Sequence, residues 1–120
     1  MKELTKAEEQ IMQKLWESGP SFIRNIVEMF PEPKPAYTTV ATIIKILESK
    51  GFVEHENYGN IYKFYPLVLK DEYAGNFLNS FVRDYFEDSY SNMISFFSKE
   101  KKISLKDLED IRKLLLKDKK

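Results

Sequence analysis

What most constrains this chain is the order of its breaks: three stretches with apolar residues at helical spacing, split by Gly19-Pro20 and by Pro31-Glu32-Pro33-Lys34-Pro35, run directly into two β-prone segments around an Asn/Gly turn. Glycine favours the left-handed cap and proline cannot continue a helical ladder, so each break ends a helix. Thr5-Lys6-Ala7-Glu8 has the form of a capping box, and Ile11, Met12, Leu15 and Trp16 then form one stripe, with Trp16 read as core. Ser21 is the expected cap of a second helix carrying Phe22, Ile23, Ile26, Val27 and Phe30. The prolines after it recur at every second position, not in the P-x-x-P spacing of a peptide ligand, and read as a stiff connecting turn.

The third helix, predicted over residues 37–50, buries Val40, Ile43, Ile44 and Leu47 and turns Thr38, Thr42, Lys45 and Ser49 outward. Threonine and serine have weaker helix propensity than Glu or Lys, so solubility alone is a weak reason for that face. Phe52-Val53-Glu54-His55-Glu56 and Ile61-Tyr62-Lys63-Phe64-Tyr65, joined through Asn57-Tyr58-Gly59-Asn60, read as a hairpin. Three short helices and a hairpin in this order predict a winged helix-turn-helix, with the third helix in a major groove and the hairpin tip as wing.

On this reading Thr38, Thr42 and Lys45 face base edges or phosphates, Tyr37 and Thr39 sit at the helix start near phosphate, and Tyr58, Gly59, Asn60 and Lys63 touch the sugar-phosphate backbone. Pro66 closes the head, placing a DNA-binding domain at residues 1–68 and a helical dimerisation region at 69–120. There Tyr73, Phe77, Phe81 and Tyr85 form a stripe wider than so small a tail can bury against itself, which implies a two-fold interface with a second copy. Ser104 begins a last helix whose Leu108, Ile111 and Leu115 are expected to join the dimer core. The expected fold class is mainly α with a small β-hairpin.

Basic and acidic residues balance at 19 each, so any DNA-binding surface must be local, and a winged-helix module that binds only proteins stands as the alternative. The absence of cysteine removes disulfides, thiolate metal sites and cysteine nucleophiles. With His55 as the single histidine, no His pair or catalytic triad can be assembled around a second one, and His55 reads as a surface strand residue. Glu54 and Glu56 read as solvated carboxylates, and Lys99, Lys101 and Lys102 as a solvated charge run. No phosphate-loop or nucleophile-elbow motif occurs, so neither an enzyme nor a cofactor or metal is expected. The start MKELTKAEEQ has no signal-like apolar run, which predicts a cytoplasmic protein.

Leu4-Thr5-Lys6-Ala7-Glu8 leading to Leu15-Trp16, then Thr39-Val40-Ala41-Thr42-Ile43-Ile44, Leu47, Lys50-Gly51-Phe52, His55, Tyr62 to Tyr65, and the late Ile103-Ser104-Leu105 and Asp107-Leu108-Glu109 together resemble the penicillinase-repressor (BlaI/MecI) family. The resemblance implies a homodimeric repressor on an inverted-repeat operator of a β-lactam resistance or stress operon, released through a membrane sensor peptidase by cleavage between Phe96 and Phe97. This chain departs from the family pattern in having Tyr37 and Thr38 for proline and lysine, Ile46 for arginine and Phe96 for asparagine. It also lacks the tail cysteines of the copper-responsive relatives, which removes copper sensing by that means.

Overall fold

The computed structural model describes residues 1–100 and 103–117, with side chains as far as Leu114; Lys101, Lys102 and the Leu115 side chain lie outside the described residues. The order is α1 (Lys6–Ser18), β1 (Ser21–Phe22), α2 (Ile23–Glu28), α3 (Tyr37–Ser49), β2 (Val53–Tyr58), β3 (Ile61–Pro66), α4 (Lys70–Phe86), α5 (Tyr90–Lys99) and α6 (Leu105–Lys117). The strands form an antiparallel sheet in the order β1-β3-β2. None of the described helices is long and apolar enough to cross a membrane.

Two compact units divide the chain at residues 76 and 77, inside α4 and not at residue 68. In the first, Ile11, Met12, Leu15, Ile26, Val40, Ile44, Leu47, Phe52, Val53 and Phe64 make one core. The predicted capping box starts α1: Thr5 Oγ1 accepts from Glu8 N at 3.2 Å, and Glu8 Oε1 accepts from Thr5 N at 2.9 Å. Trp16 packs at the rim of the core and donates from Nε1 to Val68 O at 2.9 Å.

The boundary moves because Tyr73, expected in the tail's apolar stripe, is buried in the head. Its ring lies 5.9 Å from Trp16 and 5.8 Å from Phe52, and its hydroxyl donates to Glu9 at 2.8 Å. Burial and the Glu9 hydrogen bond push the Tyr73 phenol up to about 12, which keeps it a donor at any physiological pH. Ser21 also departs from expectation. It is buried, bonds Ser18 Oγ and Gly19 O, and pairs with Phe64 in β1, so it closes the turn after α1 while α2 begins at Ile23. Lys34 folds back onto the end of α2, donating to Glu28 O and Phe30 O at 3.0 and 2.7 Å.

Glu8 has a second task. Its buried carboxylate meets Lys50, the residue capping α3, at 2.7 Å, which ties the start of α1 to the end of α3. Burial would raise its pKa from the usual 4.5, but the Lys50 hydrogen bond and charge and the Thr5 bonds outweigh it and hold the carboxyl lower. A carboxyl lowered in the folded state contributes stability at neutral pH that is lost as pH falls through the folded value. We therefore expect Glu8→Gln to lower the melting temperature at pH 7, with the gap to wild type narrowing as melts are taken toward about pH 3. A gap of constant size would show that the charge contributes nothing.

In the second unit Val82 and Met93 are buried. Glu87 and Asp88 take positive φ of 52° and 62° where α4 stops, and Asp88 N donates back to Val82 O at 3.1 Å, a helix stop made without glycine. Ser89 caps α5, and Ser104 and Asp107 cap α6 reciprocally. Phe81, Phe86, Phe96 and Phe97 form a chain of ring contacts with centroids 5.4–5.7 Å apart. Beside it Leu78, Met93, Phe97, Ile103 and Ile111 line an apolar cavity of about 320 Å³.

Candidate nucleic-acid interface

Helix α3 is held by Val40, Ile44 and Leu47, which are fully buried, so its remaining side faces solvent by geometry. Tyr37, Thr38, Thr39, Thr42, Lys45, Ile46 and Ser49 are all exposed there. Its N-cap, Ala36, provides no side-chain hydrogen bond, so the first amides have no capping side chain. Thr42 Oγ1 donates to Thr38 O at 2.9 Å, which commits its proton and leaves a methyl group and an acceptor for a ligand. Ser49 is likewise turned back, onto Ile46 O at 2.8 Å.

Between this helix and the wing lies a cleft of about 470 Å³, lined by Phe22, Ile23, Arg24, Asn25, Tyr37, Ala41, Lys45, Asn60, Ile61, Tyr62 and Phe64. Among the described residues two cations and two amides line it, and no carboxylate does. Arg24 and Asn25, which sequence reading missed, come from the first turn of α2; nothing local marks them, because α3 and the wing meet them only in the folded chain. Asn25 Oδ1 accepts from Phe22 N at 3.1 Å, leaving its amide NH₂ to donate elsewhere.

The wing turn is Gly59-Asn60, with Tyr58 opposite Ile61 and Gly59 at φ +68°, the positive angle a two-residue hairpin turn needs at its first position. Of the wing residues expected near the sugar-phosphate backbone, Asn60 lines the cleft, whereas Tyr58 and Lys63 do not. Lys63 stands opposite Glu56 on the sheet face turned away from His55 and Phe64, its Nζ 5.6 Å from the Phe22 ring and 5.8 Å from the Tyr58 ring. Strand alternation from buried Phe64 was the signal that could have placed it there. Glu54 and Glu56 occupy that outer face too, accepting from Tyr65 and Tyr58 and raising both phenols. Neither of these acids lines the cleft, and a neutral chain acquires a locally basic groove. His55, expected as a surface strand residue, lies in β2, partly exposed, and bonds Glu48 of α3 through Nδ1.

Of the residues expected at a dimer interface, Phe77 and Tyr85 are exposed by 54% and 74%, so large aromatic faces stand on the surface of the second unit. Phe81, Leu108 and Ile111 are half buried, with Ile111 in the apolar cavity. Phe96 and Phe97 sit within α5, packed edge to face with each other, so a protease needing an extended strand must first unwind that helix.

A helix-turn-helix head with a β-wing, followed by a separate helical unit, defines a winged-helix regulator. Residues 4–117 match the penicillinase repressor family, and the chain belongs to it. It is 23% identical over 114 residues to the methicillin resistance regulatory protein MecI of Staphylococcus aureus (strain N315), an alignment covering 94% of this chain and 93% of MecI. The MecI proteins of Staphylococcus epidermidis and Mammaliicoccus sciuri are similar at 23% and 22% identity over the same coverage.

Proposed function

We propose that this protein represses transcription by binding, as a homodimer, an inverted-repeat DNA operator of a β-lactam resistance or stress operon. The observation that carries this reading is the acid-free cleft between α3 and the wing, where Arg24, Lys45, Asn25 and Asn60 converge beside the exposed α3 face. A B-DNA major groove admits a helix, and the strand flanking it then runs between helix and wing, where cations and amides neutralise and bond phosphates. The β-lactam assignment draws on the family and on the methicillin resistance named for the MecI relatives. If release is by proteolysis, a cut between Phe96 and Phe97 parts Phe97, Ile103 and Ile111 from Leu78 and Met93, the other wall of the tail's apolar cavity.

The alternative, a winged-helix module that binds only proteins, draws on net neutrality and on the exposure of Tyr37 and Ile46 at the helix surface. Fluorescence anisotropy with a duplex from the protein's own promoter decides between them. Lys45→Ala is expected to weaken binding about tenfold and to lower the salt slope by about one, and Thr42→Val to weaken it while leaving the slope intact. Unchanged affinity and slope in both variants would remove this face as the reader.

A further inference from the structure

One side chain ties the reading helix to the wing. His55 of β2 bonds Glu48, near the end of α3, through Nδ1, and among the described residues this is the one side-chain hydrogen bond between α3 and the hairpin. The imidazole lies on the Tyr62 ring, centroids 4.3 Å apart, and 5.4 Å from the Phe64 ring. Tyr62 and Phe64 are part of the wing's wall of the cleft, beside Asn60 and Ile61, so the contact that holds His55 to α3 also bears on side chains that line it. The pair is about one-third exposed on each side, too dry to be dispersed by solvent and wet enough to exchange protons.

We propose that His55 and Glu48 form a protonation-dependent strut that sets the wing against the reading helix, making DNA binding stronger when His55 is charged. The proposal rests on the DNA-binding reading above. With the imidazolium, the bond to Glu48 is charge-assisted; with the neutral ring it is an ordinary hydrogen bond, and the wing is held less firmly. Facing His55 are Glu48 from α3, with Lys45 one turn earlier on that helix, and Tyr62 and Phe64 from β3. The neighbouring Glu54 and Glu56 point to the other sheet face, where Tyr65 and Tyr58 hold them. The sign follows from the partner: the bond to Glu48 is charge-assisted with the imidazolium alone, so the strut is firmest when His55 carries its proton. With one histidine and no cysteine in the chain, His55 is the first side chain to test for a binding change between about pH 5.5 and 7.5.

The test measures duplex affinity by anisotropy at about pH 5.5 and 7.5 at constant ionic strength, for wild type, Glu48→Gln and His55→Gln, alongside NMR of the His55 ring and the Ile61 and Tyr62 amides in the free protein. Wild-type affinity is expected to fall about threefold to fivefold at the higher pH, the size of one partly exposed ion pair, and to stay flat in both variants. In the free protein the wing amides should follow the ring titration in wild type and not in Glu48→Gln. A pH dependence that survives in Glu48→Gln would mean that the proton acts only as a long-range charge on the phosphates, and it overturns the strut. Wing amides that ignore the ring titration overturn it as well. This NMR arm stands even if no duplex binds at either pH, a result that would sink the DNA-binding reading alone.

Discussion

Phe52→Ala is expected to destabilise the head by about 3–5 kcal/mol, a drop of roughly 15–30 °C in melting temperature for a unit of this size. Phe52 is 1% exposed and stands where three parts of the head meet. Its N–H donates to Leu47 O as the chain leaves α3, its carbonyl accepts from Leu67 N at 2.8 Å beyond β3, and its ring meets Tyr73 of α4 edge-on. Removing the ring leaves a cavity between these elements that close-packed neighbours cannot refill, which adds to the lost transfer energy. Phe52→Leu, which keeps most of the volume, should cost much less. Thermal and urea melts followed by circular dichroism measure both; an alanine loss below about 1 kcal/mol would mean that the core is not centred there.

Phe81→Asp is expected to leave the chain monomeric at micromolar concentration and to weaken operator binding by about two orders of magnitude or more. Phe81 contacts Tyr85 and Phe86 with centroids 5.3 and 5.6 Å away, and the ring chain continues from Phe86 to Phe96 and Phe97. Phe77, Tyr85 and Phe96 expose about half or more of their surface beside it, an apolar display that a stable monomer rarely keeps. A second copy would cover it and hold two reading helices at a fixed spacing; a lone head has half the phosphate contacts and half the bases to read. Since aspartate at position 81 also disturbs ring contacts inside the tail, Tyr85→Asp is the companion variant: Tyr85 is 74% exposed, so its loss bears on a partner far more than on the fold. Equilibrium sedimentation should show monomers for both variants. A monomeric wild type would remove the interface.

What was legible in the sequence is what short-range physics decides. The Thr5/Glu8 and Ser104/Asp107 caps join residues three apart, the buried stripe of α3 repeats every three or four, and the wing turn needs only Gly59 at positive φ. For these the residues concerned are neighbours along the chain, so their interaction survives any tertiary arrangement that keeps the helix or turn. The outward α3 side, with Thr38, Thr42 and Lys45, followed from the same periodicity.

The rest depended on partners that only folding brings together. Ser21 had a good local reason to cap a helix and instead pairs with Phe64, because two residues of strand pairing and a buried turn outweigh one capping bond. Tyr73 fits the tail's stripe by spacing, yet a ring among Trp16 and Phe52 and a hydroxyl bond to Glu9, 64 residues away, draw it into the head. Arg24 and Asn25 face the cleft only because α2 packs beside α3 and the wing, and His55 finds Glu48 only once β2 lies along that helix. Local pattern was enough for α1, α3, the hairpin and the last helix, whereas β1 and α5 had no such signal. The tertiary structure decided which polar groups meet, because burial favours contacts between surfaces without regard to their separation along the chain, and no local pattern records that choice.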